Sequence, residues 1–144
     1  AGGSYSLFVK KDRTLWAMGF NAYGQLGDGT TKTRTRPVWI ASGVSQAAGG
    51  CDHSLFVKTD GSLWGMGANY VFQLGDGAVD VYHTPVRIAT GVSQIAAGGS
   101  HSIFVKTDGT LWAMGSNFLG QLGGGTTTDR IRPGKIASGI LNNR

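Results

Sequence analysis

The chain repeats itself at a fixed interval, and that interval limits its fold more than any single residue does. Trp16, Trp64 and Trp112 lie 48 residues apart, as do Gln25, Gln73 and Gln121, Pro37, Pro85 and Pro133, and Ile40, Ile88 and Ile136. No gap interrupts this register across 144 residues. Such a period marks architectures in which each unit buries its apolar surface against the next. The chain therefore divides into three units, residues 1–48, 49–96 and 97–144, with sheet boundaries offset from the chain ends.

The middle unit shows the local grammar. His53 to Lys58 is a short apolar run, Thr59-Asp60-Gly61-Ser62 supplies a hairpin turn, and Leu63 to Gly67 forms a second run. Asp-Gly between two apolar runs is a strong hairpin signal, because glycine permits the positive φ of the tight turn. A glycine-punctuated loop spans about residues 68–84, and "PVRIA" and "VSQIAAG" follow as two more predicted strands. Twenty-five glycines without a Gly-X-Y period, together with the absence of glutamate, fit tight turns and strands better than helices. The runs are nearly continuous in hydrophobicity, as expected of strands buried on both faces. The predicted class is all-β, with four-stranded antiparallel sheets covered on both sides by their neighbours.

The combination Gly-x-x-His-Ser, Asp-Gly, Leu-Trp-x-x-Gly and Gln-Leu-Gly, carried by "GCDHSLFVKTDGSLWGMGANYVFQLGDG" from Gly50 and "GSHSIFVKTDGTLWAMGSNFLGQLGGG" from Gly99, resembles the repeats of the RCC1 (regulator of chromosome condensation) family. The resemblance covers the whole chain and implies a β-propeller, usually of seven blades with four strands each. Three units close no such ring. The first unit starts at Gly2-Gly3 without its preceding strand, and "GILNNR" at the end begins that strand and then turns polar. Two readings follow. Two copies can close a six-bladed ring, with Ile140-Leu141 of one completing the first sheet of the other, or the chain is one arc of a longer propeller. Light-sensing relatives in plants carry a Gly-Trp-Arg-His-Thr motif; its tryptophan position is Gly3, Cys51 and Gly99 here.

Nothing in the pattern predicts catalysis, a metal or a cofactor. Asp52-His53-Ser54 has the residue types of a hydrolase triad, yet consecutive strand residues face opposite sides, and the equivalents are Ser4-Tyr5-Ser6 and Ser100-His101-Ser102. We expect His53 and His101 to anchor loops through hydrogen bonds. With His83 they form no converging ligand set, and Gly27-Asp28-Gly29 and Gly75-Asp76-Gly77 offer one carboxylate each. Cys51 is read as a small residue in a glycine-like slot, and the repeated tryptophans as packing between sheets. No run is long or apolar enough to span a membrane, so a soluble chain is expected, with its compartment unassigned. Asp12-Arg13 replaces the Asp-Gly turn, so that turn is expected to change type or be remodelled.

Two features remain as candidate partner-binding residues. The long loops read "FNAYG", "ANYVF" and "SNFLG", placing Phe20, Tyr23, Tyr70, Phe72, Phe118 and Leu119 around a shared asparagine, either as protein-binding anchors or as plugs against the next sheet. Lys32, Arg34 and Arg36 alternate, and Arg130, Arg132 and Lys135 occupy similar ground in the third unit. The units carry net charges of +4, −2 and +3. The basic arc suits DNA, RNA or an acidic protein, or else simply solvates loops. The functional expectation is a non-enzymatic module binding a protein through its loops, with nucleic-acid binding and a purely structural role as alternatives.

Overall fold

A computed structural model describes residues 1–141, which form eleven strands and no helix. The first sheet contains β1 (Tyr5–Val9), β2 (Leu15–Gly19) and β3 (Arg34–Ala41). The second contains β4 (Val44–Gly49), β5 (His53–Lys58), β6 (Leu63–Ala68) and β7 (Val81–Ala89). The third contains β8 (Val92–Ala97), β9 (His101–Lys106), β10 (Leu111–Gly115) and β11 (Arg130–Ala137). Strand order follows the chain in every sheet, and all pairs are antiparallel. Among the described residues the first sheet has three strands, not four, and β1 is its edge; the 48-residue offset puts the equivalent of β4 and β8 before Tyr5.

Two apolar layers hold the three sheets together. One joins the first and second sheets through Leu15, Ala17, Leu26 and Ile40 on one side and Phe56 and Met66 on the other. The other joins the second and third through Leu55, Val57, Leu63 and Leu74 against Phe104 and Met114. The middle sheet thus uses both faces, and β5 is buried from His53 to Val57. Burying one such side chain stabilises the fold by about 1.5–3 kcal/mol. Continuous burial does not extend to β1, where only Tyr5 is buried. Ser6, Phe8, Trp16 and Met18, on the outer face of the first sheet, are half-buried, whereas their equivalents Phe56 and Met66 are 1% and 0% exposed.

The tryptophans are not simply core. Trp64 and Trp112 stack on Phe56 and Phe104, with ring centroids 6.3 and 6.4 Å apart, but all three repeated tryptophans remain half-exposed. Each indole N–H donates to the turn hydroxyl two residues earlier, at 2.8 Å, and each carries a lysine ammonium over its face at 4.3–4.7 Å. That hydroxyl donates to Asp12, Asp60 or Asp108, and these hydrogen bonds hold each carboxyl below its usual range. The result is a braced hairpin turn in each sheet.

The outer strands begin earlier than expected, so Pro37, Pro85 and Pro133 fall inside β3, β7 and β11. They are tolerated because these are edge strands whose pairing is broken there by a register shift. The turn at Arg13 is not remodelled. Arg13 adopts φ 67° where Gly61 and Gly109 have 84° and 80°, and its carbonyl accepts from the Val44 N–H as Gly61 does from Val92. A left-handed non-glycine residue costs roughly 1–2 kcal/mol, while glycine loses about 0.5–1 kcal/mol more in chain entropy. Arg13→Gly should therefore raise stability by up to about 1 kcal/mol, seen as a urea midpoint shifted to higher concentration.

Candidate interaction surface

The loops between the second and third strands of each sheet are built around one buried asparagine. Asn21, Asn69 and Asn117 are each 0% exposed. The side-chain carbonyl accepts from the N–H of Leu26, Leu74 or Leu122 at 2.8–3.0 Å. The amide donates across the loop, to the Thr30 and Lys32 carbonyls, to Asp76 and the Ala78 carbonyl, and to the Thr126 and Thr128 carbonyls. The repeated glutamine finishes the tip, its carbonyl accepting from the N–H of Tyr23, Val71 or Leu119. The asparagine was visible in the sequence, but its role was not, because most of its partners are main-chain groups that leave no residue signature.

Adjacent sheets are latched beside these loops. The Ser54 hydroxyl, 2.9 Å from the Tyr5 hydroxyl, donates to the Gln25 carbonyl at 2.6 Å, and Tyr5 donates to the His53 carbonyl. One repeat on, the Ser102 hydroxyl donates to the Gln73 carbonyl at 2.6 Å. That hydroxyl has a single proton, so the 2.9 Å contact with His53 is a donation from the His53 Nε2–H. Its Nδ1 is buried without a partner to accept a second proton's hydrogen bond, so His53 is neutral. Burial, reinforced by nearby His101, lowers its pKa to about 4. His101 is lowered too, through its own partial burial.

Around the loop tips, Phe20, Tyr70, Phe118 and Leu119 are exposed at 41%, 54%, 81% and 85%. Tyr23 and Tyr70, from successive loops, meet edge to face at 6.2 Å. Tyr23 and Phe72 are half-buried. Phe72 adopts φ 63° where the other loops have Gly24 and Gly120, so its bulk is held in a strained backbone.

The basic residues do not form one free stripe. Lys32 precedes β3 and is exposed, as is Arg36. Arg34 donates to Asp28 at 2.7 Å, and its position beside Thr30 folds it onto its own loop. Burial pushes Asp28 upward, but hydrogen bonds from Thr30 and Arg34 outweigh it and keep the carboxyl low. The Arg130 guanidinium lies over Gly134, where an added Cβ would sit 1.6 Å from Nη1. Arg132 lies against Gly77 of the preceding loop, and Lys135 is exposed. The hydroxyl of Tyr82 donates to Asp76, which, with burial, pushes its pKa up to about 12. Among the described residues no group of three or more His, Cys, Asp or Glu converges, and no helix is long and apolar enough to cross a membrane. Sequence reasoning passed over Trp39, 53% exposed, although its equivalents Arg87 and Lys135 are charged and the contrast was there to see.

The neutrality of His53 has a measurable consequence. Its pKa is lower folded than unfolded, so the unfolded chain takes up the proton first and stability is lost as pH falls from about 6.5 to about 4. The shift corresponds to roughly 3 kcal/mol. His53→Tyr, which copies the Tyr5 arrangement, should flatten that part of the urea-midpoint against pH curve.

Comparison with known proteins agrees with this architecture. Regulator of chromosome condensation (RCC1) repeats match residues 12–57 and 60–105, and a second description of the same repeat matches residues 92–121. Human WBSCR16 superposes with a TM-score of 0.82 at 26% identity, covering 94% of this chain and 36% of that one. Saccharomyces cerevisiae Prp20p, solved in a study of its binding to Gsp1p and histones, gives 0.86 at 23% identity, covering 96% and 37%. Yeast RCC1 (Prp20) in the structure with Kap60 gives 0.85 at 23% identity, covering 96% and 36%. The chain thus spans little more than a third of these structures. No curated protein matches it.

Proposed function

The chain belongs to the RCC1 repeat family, and from that premise we propose that it is a non-enzymatic protein-interaction module, with its loop tips as the contact surface and two copies completing a six-bladed ring. The observation that carries the reading is the pairing of opposites in each loop. A buried asparagine fixes the base, and large apolar side chains stand in solvent at the tip, most of all Phe118 and Leu119. Aromatic anchors on rigid supports lose little entropy on binding, which is the character of interface hot spots. The Tyr23–Tyr70 contact ties two tips into one surface. Prp20p, a fold relative, binds Gsp1p and histones, which supports a protein partner for this scaffold.

The nucleic-acid reading draws less support. Arg34 is engaged by Asp28, while Arg130 and Arg132 lie against glycines of the chain itself. If the reading is nonetheless correct, affinity will fall steeply with salt and with joint neutralisation of Arg36, Arg130 and Arg132.

A protein ligand retained by the native chain should lose about 30-fold in affinity for Phe118→Ser or Leu119→Ser, the scale of a hot-spot truncation. The unfolding midpoint should stay within error, because both side chains are mostly solvated. Equal retention by the variants and the native chain in a titrated pull-down would remove the loop tips from the interface.

A further inference from the structure

We propose that the end of the chain opposite the long loops is a docking face for an anionic phospholipid surface, with its cations toward the head groups and Trp39 entering the interfacial layer.

The strands alternate in direction, so their connections fall into two sets. The long loops at residues 20–33, 69–80 and 116–129 lie at one end, with the turns at 50–52 and 98–100. The connections at 10–14, 42–43, 59–62, 90–91 and 107–110 lie at the other, and all are short. Main-chain hydrogen bonds run between these short connections. Val44 donates to the Arg13 carbonyl, Thr59 to Gly43, Val92 to Gly61, Thr107 to Gly91 and Ile140 to Gly109. The turns therefore form one tied, low face across all three sheets.

Charge is divided unequally between the two ends. The short-turn end holds Lys10, Lys11, Arg13, Lys58 and Lys106, with Arg87 and Lys135 beside them on β7 and β11, against Asp12, Asp60 and Asp108. Each of those carboxylates accepts from the N–H and the hydroxyl of the residue two positions on, within its own turn. The long-loop end is balanced, with Lys32, Arg34, Arg36, Arg130 and Arg132 against Asp28, Asp52, Asp76, Asp80 and Asp129. Arg144, like the polar Asn142 and Asn143 before it, lies outside the described residues. The positive excess of the described chain thus sits at the short-turn end.

The first turn adds to that excess at a cost. Where the other two read Lys-Thr-Asp-Gly, it reads Lys-Lys-Asp-Arg, and Arg13 is held at φ 67° in a conformation that favours glycine. Strain kept where an unstrained residue fits points toward function.

Trp39 selects among polyanions. It is 53% exposed, near the end of β3 that leads into these turns. That exposure does not come from standing in the first sheet, because Arg87, its equivalent in the sheet covered on both faces, is exposed as well. With Lys58 and Trp64 it lines an open groove of about 370 Å3. An exposed indole among lysines is the composition of a membrane interface, where tryptophan settles between wet and apolar phases. A phosphate backbone offers the indole no apolar phase. Trp64 and Trp112 are already engaged by Phe56, Phe104 and their lysines, which makes them poor platforms for nucleobases. A duplex major groove, roughly 8.5 Å deep, is entered by projecting elements, whereas the connections here are short. Lysines outnumber arginines on this face; they are depleted at protein–protein contacts and lack the fork that grips a single carboxylate. Near an anionic leaflet, by contrast, each basic residue strengthens binding about fivefold.

The chain should sediment with vesicles of phosphatidylcholine containing about one-third phosphatidylserine, and not with phosphatidylcholine alone. Binding should weaken as salt rises. Tryptophan emission should move to the blue on binding in the native chain and not in Trp39→Ser, an exposed position whose substitution leaves the fold in place. Lys11→Thr with Arg13→Gly gives the first turn the sequence of the other two. That variant should be at least as stable as the native chain yet bind roughly 25-fold more weakly, a combination that unfolding does not produce. Phe118→Ser, at the opposite end, should bind vesicles unchanged, so this result and the loop-tip reading are separable. The proposal is overturned by failure to bind either vesicle, by equal binding to both, or by undiminished binding of the double variant. It is overturned equally if double-stranded DNA or polyglutamate, matched for charge, binds more tightly than the vesicles, which would assign the face to a nucleic acid or to an acidic protein.

Discussion

Each sheet in this chain is apolar on both faces, and everything else follows from the need to cover them. A sheet wet on one side can alternate polar and apolar residues and stand alone. The β4–β7 sheet cannot, because Leu55, Val57 and Leu63 face one neighbour while Phe56 and Met66 face the other. The polar groups caught in these layers are few, and the serine hydroxyls among them are paired. Ser54 and Ser102 reach glutamine carbonyls across the gap, so that each seam has a fixed register as well as apolar contact. Registration by a buried hydroxyl is directional where hydrophobic contact is not.

The fold was largely legible before any coordinates, for physical reasons. A 48-residue period with no gaps leaves few architectures, and Asp60-Gly61 and Asp108-Gly109 mark their turns because positive φ restricts the residue type. Where the chain departed from the local rule, tertiary context had won. Arg13 takes the glycine conformation because the Asp12–Thr14 brace and the Val44 hydrogen bond hold the turn around it. Pro37, Pro85 and Pro133 looked like strand starts, yet an outer edge with a pairing shift accommodates them inside the strand.

The candidate surface was legible only in part. Exposed aromatics at Phe118 and Tyr70 could be suspected from their variation among the loops, but nothing in the sequence separated Tyr23, which leans on Tyr70, from Leu119, which stands free. The basic residues were misleading when read as a stripe. Charge pattern records sign and spacing, and the ion pair of Arg34 with Asp28 arises from a loop path that spacing does not contain. The lysine over each tryptophan was also missed. In hindsight the recurring Lys, Asp, Ser or Thr, and Trp around each turn was its trace.

The asparagine at the base of each loop separates two kinds of selection. Its hydrogen bonds go to main-chain groups and to the Asp28 and Asp76 carboxylates, never to a tip side chain, so they persist whatever side chains stand at residues 22–23, 70–71 and 118–119. Substitutions at those tips leave the bonds that shape the loop in place, while substitution of the asparagine removes them. Such a chain is a fixed frame bearing three tips, two of them joined through Tyr23 and Tyr70, whose side chains can be exchanged without the frame first having to be rebuilt.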